Sequence, residues 1–370
     1  MAVYKIFPEK DATLYSEYPN ANTGIDEIIE ATTSTETDGG EPAVSRFLIK
    51  FNQSEILDVV NNKATGSIAA YLKVYMAKVE GLGQETTLFC YPVSGSWQNG
   101  TGKYLDTPEV TNGVSWNFRT SSGSGAWQTA GFTTTGATAS FSASNPGGGN
   151  WYTSSAYAKS ASYQYRSDFD ITLDTTNTVI AWYSGSIQND GFIIKQADSA
   201  EFSTDSTKRV QFKYFSVDTN TIYPPQLEFR WNDFYYNTGS STQTVITDPD
   251  VVATLPNNSG IYYPSSIQRF RINARPQFPP RSFVTGSFYT FNYYLPTASY
   301  WSIVDLDTNE VAIDFDSTYT KISADSTSNY FDVYMNGLEP ERYYKILFKT
   351  VIDGATRVLD EKYYFKVING

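Results

Sequence analysis

The stretch Gln211-Phe-Lys-Tyr-Phe-Ser-Val-Asp-Thr-Asn-Thr-Ile-Tyr-Pro-Pro-Gln-Leu-Glu-Phe-Arg-Trp231 decides the fold. Phe212, Tyr214 and Ser216 alternate with Lys213, Phe215 and Val217, the period-two pattern of a strand with unlike faces. Asp218-Thr-Asn-Thr221 supplies turn chemistry and Pro224-Pro225 excludes a helix. Leu227, Phe229 and Trp231 then alternate with Glu228 and Arg230 as a second strand. Two strands this far along the chain need partners, and the expected partners are strands near the N-terminus. The stretch therefore reads as the closing strands of a large β domain.

Working outward, the chain of 370 residues exceeds what one core normally sustains, so two domains are expected. Aromatic content of 16%, with 29 Tyr and 23 Phe, favours pleated, half-buried surfaces over helices. Charged residues at 18% fall below the usual quarter, and Ser, Thr, Asn and Gly supply the polar area instead. A net charge of −12 without a basic patch argues against nucleic acid as a partner, because phosphate binding needs clustered Lys and Arg. The chain has no histidine, the commonest general base and transition-metal ligand. The single cysteine, Cys90, lies in the strand-like run Thr87-Leu-Phe-Cys-Tyr91 and is expected as a buried small hydrophobe. The N-terminal Met1-Ala-Val-Tyr-Lys-Ile-Phe-Pro8 lacks the basic and apolar regions of an export signal, and no apolar run reaches membrane-spanning length. Neither export nor membrane insertion is expected.

Strands are expected over Val3–Phe7, Asp11–Tyr15, Asp26–Thr32 and Val44–Phe51. A short helix follows at Asn52–Val60, where an Asn/Ser cap precedes apolar residues at helical spacing. Ser67–Val79 alternates as one long strand. Thr86–Val93, Val114–Arg119, Asp168–Leu173, Val179–Tyr183 and Gly191–Gln196 continue the set. From Thr120 to Ala158 no residue carries a formal charge, yet aromatics recur through the segment. It is expected as an insertion loop at about 120–158, held by its own sandwich or by a neighbouring subunit. Because charge is depleted at interface cores, Trp127, Phe132, Trp151 and Tyr152 are its candidate contact residues for neighbouring subunits.

The first domain is expected over 1–232, a linker over 233–258, and a second domain over 259–370. Runs such as Trp301–Leu306, Tyr330–Met335, Tyr343–Lys349 and Lys362–Val367 make a further strand ladder, with hairpin chemistry at Leu306–Glu310 and Ile352–Gly354. Leu338-Glu-Pro-Glu-Arg-Tyr343 resembles the turn of fibronectin-type and immunoglobulin-like domains in which a tyrosine at a strand start bonds back to the preceding turn. The fold class expected is all-β, a large jelly-roll or β-sandwich followed by an immunoglobulin-like sandwich.

Asp11-Ala-Thr-Leu-Tyr15, Asn22-Thr-Gly24, Ser45-Arg-Phe-Leu-Ile-Lys-Phe51, the strand ending at Met76, Trp97 with Val114-Ser-Trp116, Gly191-Phe-Ile-Ile194, and Phe215-Ser216 running to Pro225-Gln-Leu-Glu-Phe229 together resemble the ordered landmarks of DNRLRE-type jelly rolls. Such modules occur in carbohydrate-associated proteins, and related ones in structural proteins of tailed phages, particularly marine T4-like ones. The uncharged insertion between Arg119 and Lys159 departs from that pattern. The resemblance implies a non-enzymatic virion component of neck, tail or fibre. Its partners would be other virion proteins and copies of itself, with no cofactor, and it would be assembled in the host cytoplasm. The contrasting reading is a surface-exposed adhesin or decoration protein that binds a host-surface glycan.

For other chemistry, the pairs Asp168/Asp170, Asp305/Asp307 and Asp314/Asp316 share strand faces. Glycosidase acids require a spatial convergence that spacing alone does not supply, so a solvated face is the expected reading. Asp11 with Asn20, Asn22 and Asp26 is the calcium candidate, although no Asp-x-Asp-x-Asp-Gly loop is present.

Overall fold

The computed structural model describes residues 2–34, 43–121, 125–127, 135–136, 147–201, 203, 205–239, 244–279 and 293–369. Among them the chain is all-β. Its contacts divide it into two compact units, one of Ile6–Asn62 and Ala69–Glu228, the other of Met1–Lys5, Lys63–Ile68 and Phe229–Gly370.

The elements up to the end of the deciding stretch are β1 (Ala2–Ile6), β2 (Pro8–Tyr15), β3 (Ile28–Ser34), β4 (Ala43–Phe51), α1 (Gln53–Asp58), β5 (Ile68–Val74), β6 (Met76–Glu80), β7 (Thr86–Pro92), β8 (Thr135–Gly136), β9 (Trp151–Tyr152), β10 (Lys159–Tyr163), β11 (Ile171–Asp174), α2 (Thr176–Tyr183), β12 (Phe192–Gln196), α3 (Asp198–Glu201), β13 (Gln211–Phe215) and β14 (Gln226–Trp231). An eight-stranded sheet runs β10-β7-β12-β4-β3-β13-β6, with β2 paired to β4. β5 and β11 pair antiparallel in a second sheet, Leu72 opposite Leu173. The long-range closure expected from the sequence is present. β13 pairs antiparallel with β3, Lys213 opposite Glu30 and Tyr214 opposite Ile29, and Phe212 and Tyr214 point into the core as the alternation requires.

Three local expectations are corrected. Ser67–Val79 is not one strand, because the chain bends at Tyr75. β5 then pairs with β11 while β6 pairs with β13, so a single run switches sheets at a corner. Val179–Tyr183 is helical, within α2. Thr178, Val179 and Trp182 are buried while Ile180 and Tyr183 face water, a helical stripe, and the Asp174 carboxylate accepts the Thr176 N–H at 3.0 Å to start the turn. Tertiary packing here overrides the β preference of Val and Ile. Val114–Arg119 is irregular chain, closed by a Ser115 N–H to Phe118 O bond of 2.8 Å rather than by a ladder. The helix expected at 52–60 is present as α1, with the Asn52 side chain accepting the Ser54 N–H at 2.8 Å.

β4 and β12 are buried on both faces, which one packed sheet alone would not produce. Their second face is covered by described residues between β7 and β9 together with Trp151 of β9. Ala12, Leu14, Leu48 and Ile193 of the sheet pack with Val93, Trp97, Val114, Trp116, Trp127 and Trp151 in one cluster.

The C-terminal unit contains β15 (Thr244–Val245), β16 (Val251–Thr254), β17 (Ile261–Tyr262), β18 (Ile267–Pro276), β19 (Tyr293–Tyr294), β20 (Ser299–Asp305), β21 (Val311–Ile313), β22 (Ser323–Ala324), β23 (Asn329–Tyr334), β24 (Arg342–Ile352) and β25 (Ala355–Val367). Residues 233–258, expected as a linker, thus carry two strands. β16 pairs with β18, and Val251, Ala253 and Leu255 are core residues. The sheets run β16-β18-β23-β22 and β17-β25-β24-β20-β21, with β17 parallel to β25. That is the immunoglobulin order, A-B-E-D against A′-G-F-C-C′. Trp301 on the C strand is 1% exposed and stacks on Phe331 at 5.0 Å. The corner tyrosine is Tyr344 rather than Tyr343. Its hydroxyl donates to Glu339 O at 3.0 Å, while Tyr343, on the other face of β24, points to solvent.

Candidate functional site

The densest charge in the interior lies where the covering segment meets the eight-stranded sheet. Arg46 on β4 donates through Nε to Glu201 Oε1 at 3.1 Å, through Nη2 to Oε2 at 2.6 Å and through Nη1 to Gly148 O at 2.9 Å. Lys195 on β12 meets the same carboxylate at 3.1 Å and also donates to Gln196 O and to Asp198 Oδ1. The short α3 makes this possible. Ala200 and Glu201 both donate backbone N–H groups to Ala197 O, a tight turn that brings Glu201 back under the sheet. The Arg46 guanidinium lies 5.1 Å from the Trp116 ring centre and 5.4 Å from that of Trp151. Arg46 and Glu201 side chains are both 0% exposed. A buried two-point Arg–carboxylate contact of this kind fixes orientation, because every donor of the fork has one geometry that satisfies it.

Gly148 is at φ +73°, and a Cβ there would come within 2.8 Å of the Trp116 ring and 2.9 Å of Arg46 Nη1. Glycine is what lets the backbone carbonyl approach the guanidinium. The Gly147-Gly-Gly149 run, which reads as flexible linker by composition, is a packed lid over an ion network.

Trp151 opens outward onto a ladder of rings. Phe89 and Tyr91, neighbours on one face of β7, stack at 6.0 Å and 9°, and Tyr91 stacks on Trp151 at 5.8 Å and 28°. Phe89 and Tyr91 are half-buried, and Thr87 on the same face shares a 2.8 Å hydroxyl contact with Ser162 of β10. Burial first, then the Asp198 carboxylate, raise the Tyr91 phenol above its ordinary range, so it stays neutral.

Of the residues proposed from sequence, Trp127 and Trp151 take the first of the two expected holds, the chain's own sandwich. Trp127 and Trp151 are buried, and the Trp127 indole donates to Ser115 O at 2.9 Å, so neither ring is presented to a neighbouring subunit. Their aromatic rings fill the second core instead. Tyr152 is half-buried on β9, opposite Thr135. Phe132 lies outside the described residues. The calcium candidates are engaged within the chain, Asn20 Oδ1 accepting from the Asn117 side-chain amide at 3.1 Å and the others bonded to backbone groups. Asn22 donates to Asn99 O and Val114 O and accepts from Gly102 N–H, and the Asp26 carboxylate accepts from Tyr104 N–H at 3.1 Å. Asp11, 1% exposed, accepts the Val217 N–H at 2.7 Å, tying the deciding stretch to β2. Its carboxyl is pushed up to about 8, mainly by burial, with Asp218 and Asp26 nearby adding to the effect.

No protein-family model matches the chain, and no curated protein matches it.

The acid pairs are engaged within the chain. Asp170 accepts the Met76 N–H, Asp305 is held by Arg342 at 2.5 and 2.7 Å, and Asp316 accepts N–H groups of Thr318 and Tyr319. The Arg46–Glu201–Lys195 network is the feature the sequence reading missed. Its one legible trace is an arginine inside the apolar run Val44–Phe51, with a partner 155 residues away.

Proposed function

We propose that the chain is a non-enzymatic structural protein of a tailed-phage virion, assembled in the host cytoplasm into the neck, the tail or an attached fibre. It works through contacts with copies of itself and with other virion proteins. The observation that carries this reading is the row of large apolar side chains that the C-terminal unit holds in water, Ile261, Val311, Tyr343, Val358 and Tyr364, each more than 40% exposed. Contiguous exposed apolar surface on a β-sandwich costs solubility unless a partner covers it. The charges of the N-terminal unit's core are meanwhile spent on internal bonds, as a scaffold requires and a catalytic cleft does not.

Peptide mass spectrometry on gradient-purified particles tests the reading. The chain should band with intact particles at a fixed ratio to the other virion proteins, and its confinement to the free-protein fraction would contradict it. A second reading, a glycan-binding adhesin or decoration protein, is favoured by the Phe89–Tyr91–Trp151 ladder, since stacked half-exposed rings suit the apolar faces of sugars. Glycan-array binding that disappears in Tyr91→Ala would support it, and an array with no signal for the unaltered chain would remove it.

A further inference from the structure

Five of the exposed apolar residues of the C-terminal unit, Ile261, Val311, Tyr343, Val358 and Tyr364, share one face. Cross-strand partners point to the same side of a sheet, and the register links Ile261 to Lys366, Lys366 to Tyr343, Tyr364 to Lys345, Lys345 to Val304, Val304 to Val311 and Val358 to Lys349. The opposite side of the same strands carries Trp301, Ile303, Tyr344, Ile346 and Phe348 into the core. One flank of the sandwich is therefore buried, and the other presents Ile261, Tyr343, Val358, Tyr364 and Val311 at 43–56% exposure.

Two of the lysines on this face are ion-paired within the chain. Lys345 pairs with Asp360 at 2.9 Å and Lys366 pairs with Glu341. The Lys349 ammonium lies over the Phe315 and Tyr300 rings, at 4.7 and 5.1 Å. On a chain of net charge −12 this face is close to neutral, with Lys349 and the exposed Glu361 and Lys362 of β25 outside the two ion pairs. A partner selected by charge would be drawn to the acidic remainder. Two copies repel everywhere except where their charges are already paired.

Resting on the assembly reading above, we propose that the outer face of the β17-β25-β24-β20-β21 sheet is a self-docking surface, by which the chain pairs with a second copy of itself about a twofold axis. An isologous contact needs a patch compatible with itself, and a face close to neutral, with two of its lysines paired internally, meets that requirement. The size also fits. The β24–β25 hairpin extends about 35 Å and the five strands span about 19 Å, a footprint of several hundred Å², on the order of the roughly 800 Å² of accessible surface each partner contributes to a standard interface. Val358 on β25 and Tyr343 on β24 are the residues whose loss is expected to matter most.

Sedimentation velocity on the full chain, over roughly 1–100 µM, reads the result. The unaltered chain is expected to dimerise, and the doubly changed Tyr343→Glu/Val358→Glu chain to weaken the dimer at least about tenfold. The separate change Tyr364→Lys should weaken it in the same direction, and thermal unfolding of each variant confirms that the fold is kept. Arg269→Ala, on the other sheet of the sandwich, is expected to leave the dimer unchanged. A chain that stays monomeric throughout overturns the self-docking face. A dimer of undiminished strength in the double variant also overturns it, placing self-association elsewhere and leaving the assembly reading intact. Failure of the assembly reading itself is read separately, from the purified particles.

Discussion

Arg46 shows how a single buried charge organises its surroundings. Its guanidinium is held by one carboxylate, one carbonyl and two indole rings, and Glu201 also serves Lys195. Replacing Glu201 by Gln would leave Arg46 in the interior without its counter-ion and Lys195 with Asp198 alone, and the expected loss is about 3–5 kcal/mol of unfolding free energy in urea titration. The exposed Arg269–Asp332 pair provides the contrast, since such contacts contribute no more than about 1 kcal/mol. A loss from Glu201→Gln as small as that would show the network to be solvated. Asp11 gives a pH dependence of definite sign. Its carboxyl titrates at about 8 in the folded chain against an ordinary 3.8, chiefly because it is buried, and burial likewise raises Asp26 to about 6. The folded chain keeps protons that the unfolded chain has released, so this contribution to stability is full below 3.8 and is lost as pH rises towards about 8. Melting temperatures followed from pH 4 to pH 8, a window set by those two values, should fall less steeply in Asp11→Asn than in the unaltered chain. Equal slopes would contradict the assignment.

At the scale of elements, alternation identified the strands wherever one face is buried and the other is not, as in β13 and β24. It failed where that contrast is absent. Val179-Ile-Ala-Trp-Tyr183 is apolar throughout, so strand and helix look alike, and only packing of Trp182 against Phe192 at 4.7 Å resolves it. Val114–Arg119 has strand composition but lies over a sheet face instead of in a ladder. The covering segment was illegible for a related reason. Gly, Ser and Thr dominate it, and what holds it is a few widely spaced tryptophans together with Gly148. Adding a methyl group at Gly148 tests that hold. Gly148→Ala forces a positive φ on alanine and drives its Cβ against Trp116 and Arg46, and about 1–3 kcal/mol of stability should be lost. An unchanged urea midpoint would mean that the segment is not anchored there. Of the two holds expected for this segment, Trp127 and Trp151 take the first, packing into a core of the chain's own sandwich.

For the whole molecule, the class of fold was legible and the candidate site was not. Periodicity and turn residues report local geometry, which sufficed for two sets of strands and for the corner at Tyr344 to within one residue. Arg46 and Glu201 meet across 155 residues, and the exposed sheet face exists only once five strands are in register. Neither leaves a local pattern. The closure of the N-terminal unit supports everything built on it, because the eight-stranded sheet and its second covered face depend on β13 reaching back to β3. Glu30 and Lys213 are directly opposed across that pair and bonded at 2.9 Å although 183 residues apart. Opposed positions on antiparallel strands fall within the range that a disulfide spans, at about 4.5–5.5 Å between Cα atoms. The most direct measurement is therefore peptide mapping by mass spectrometry of the oxidised Glu30→Cys/Lys213→Cys chain, where the native Cys90 is buried and should remain a thiol. A 30–213 cross-link formed in the folded protein, with unfolding shifted to higher temperature, is the expected result. Free thiols at both positions in a chain that still folds would contradict the closed sandwich.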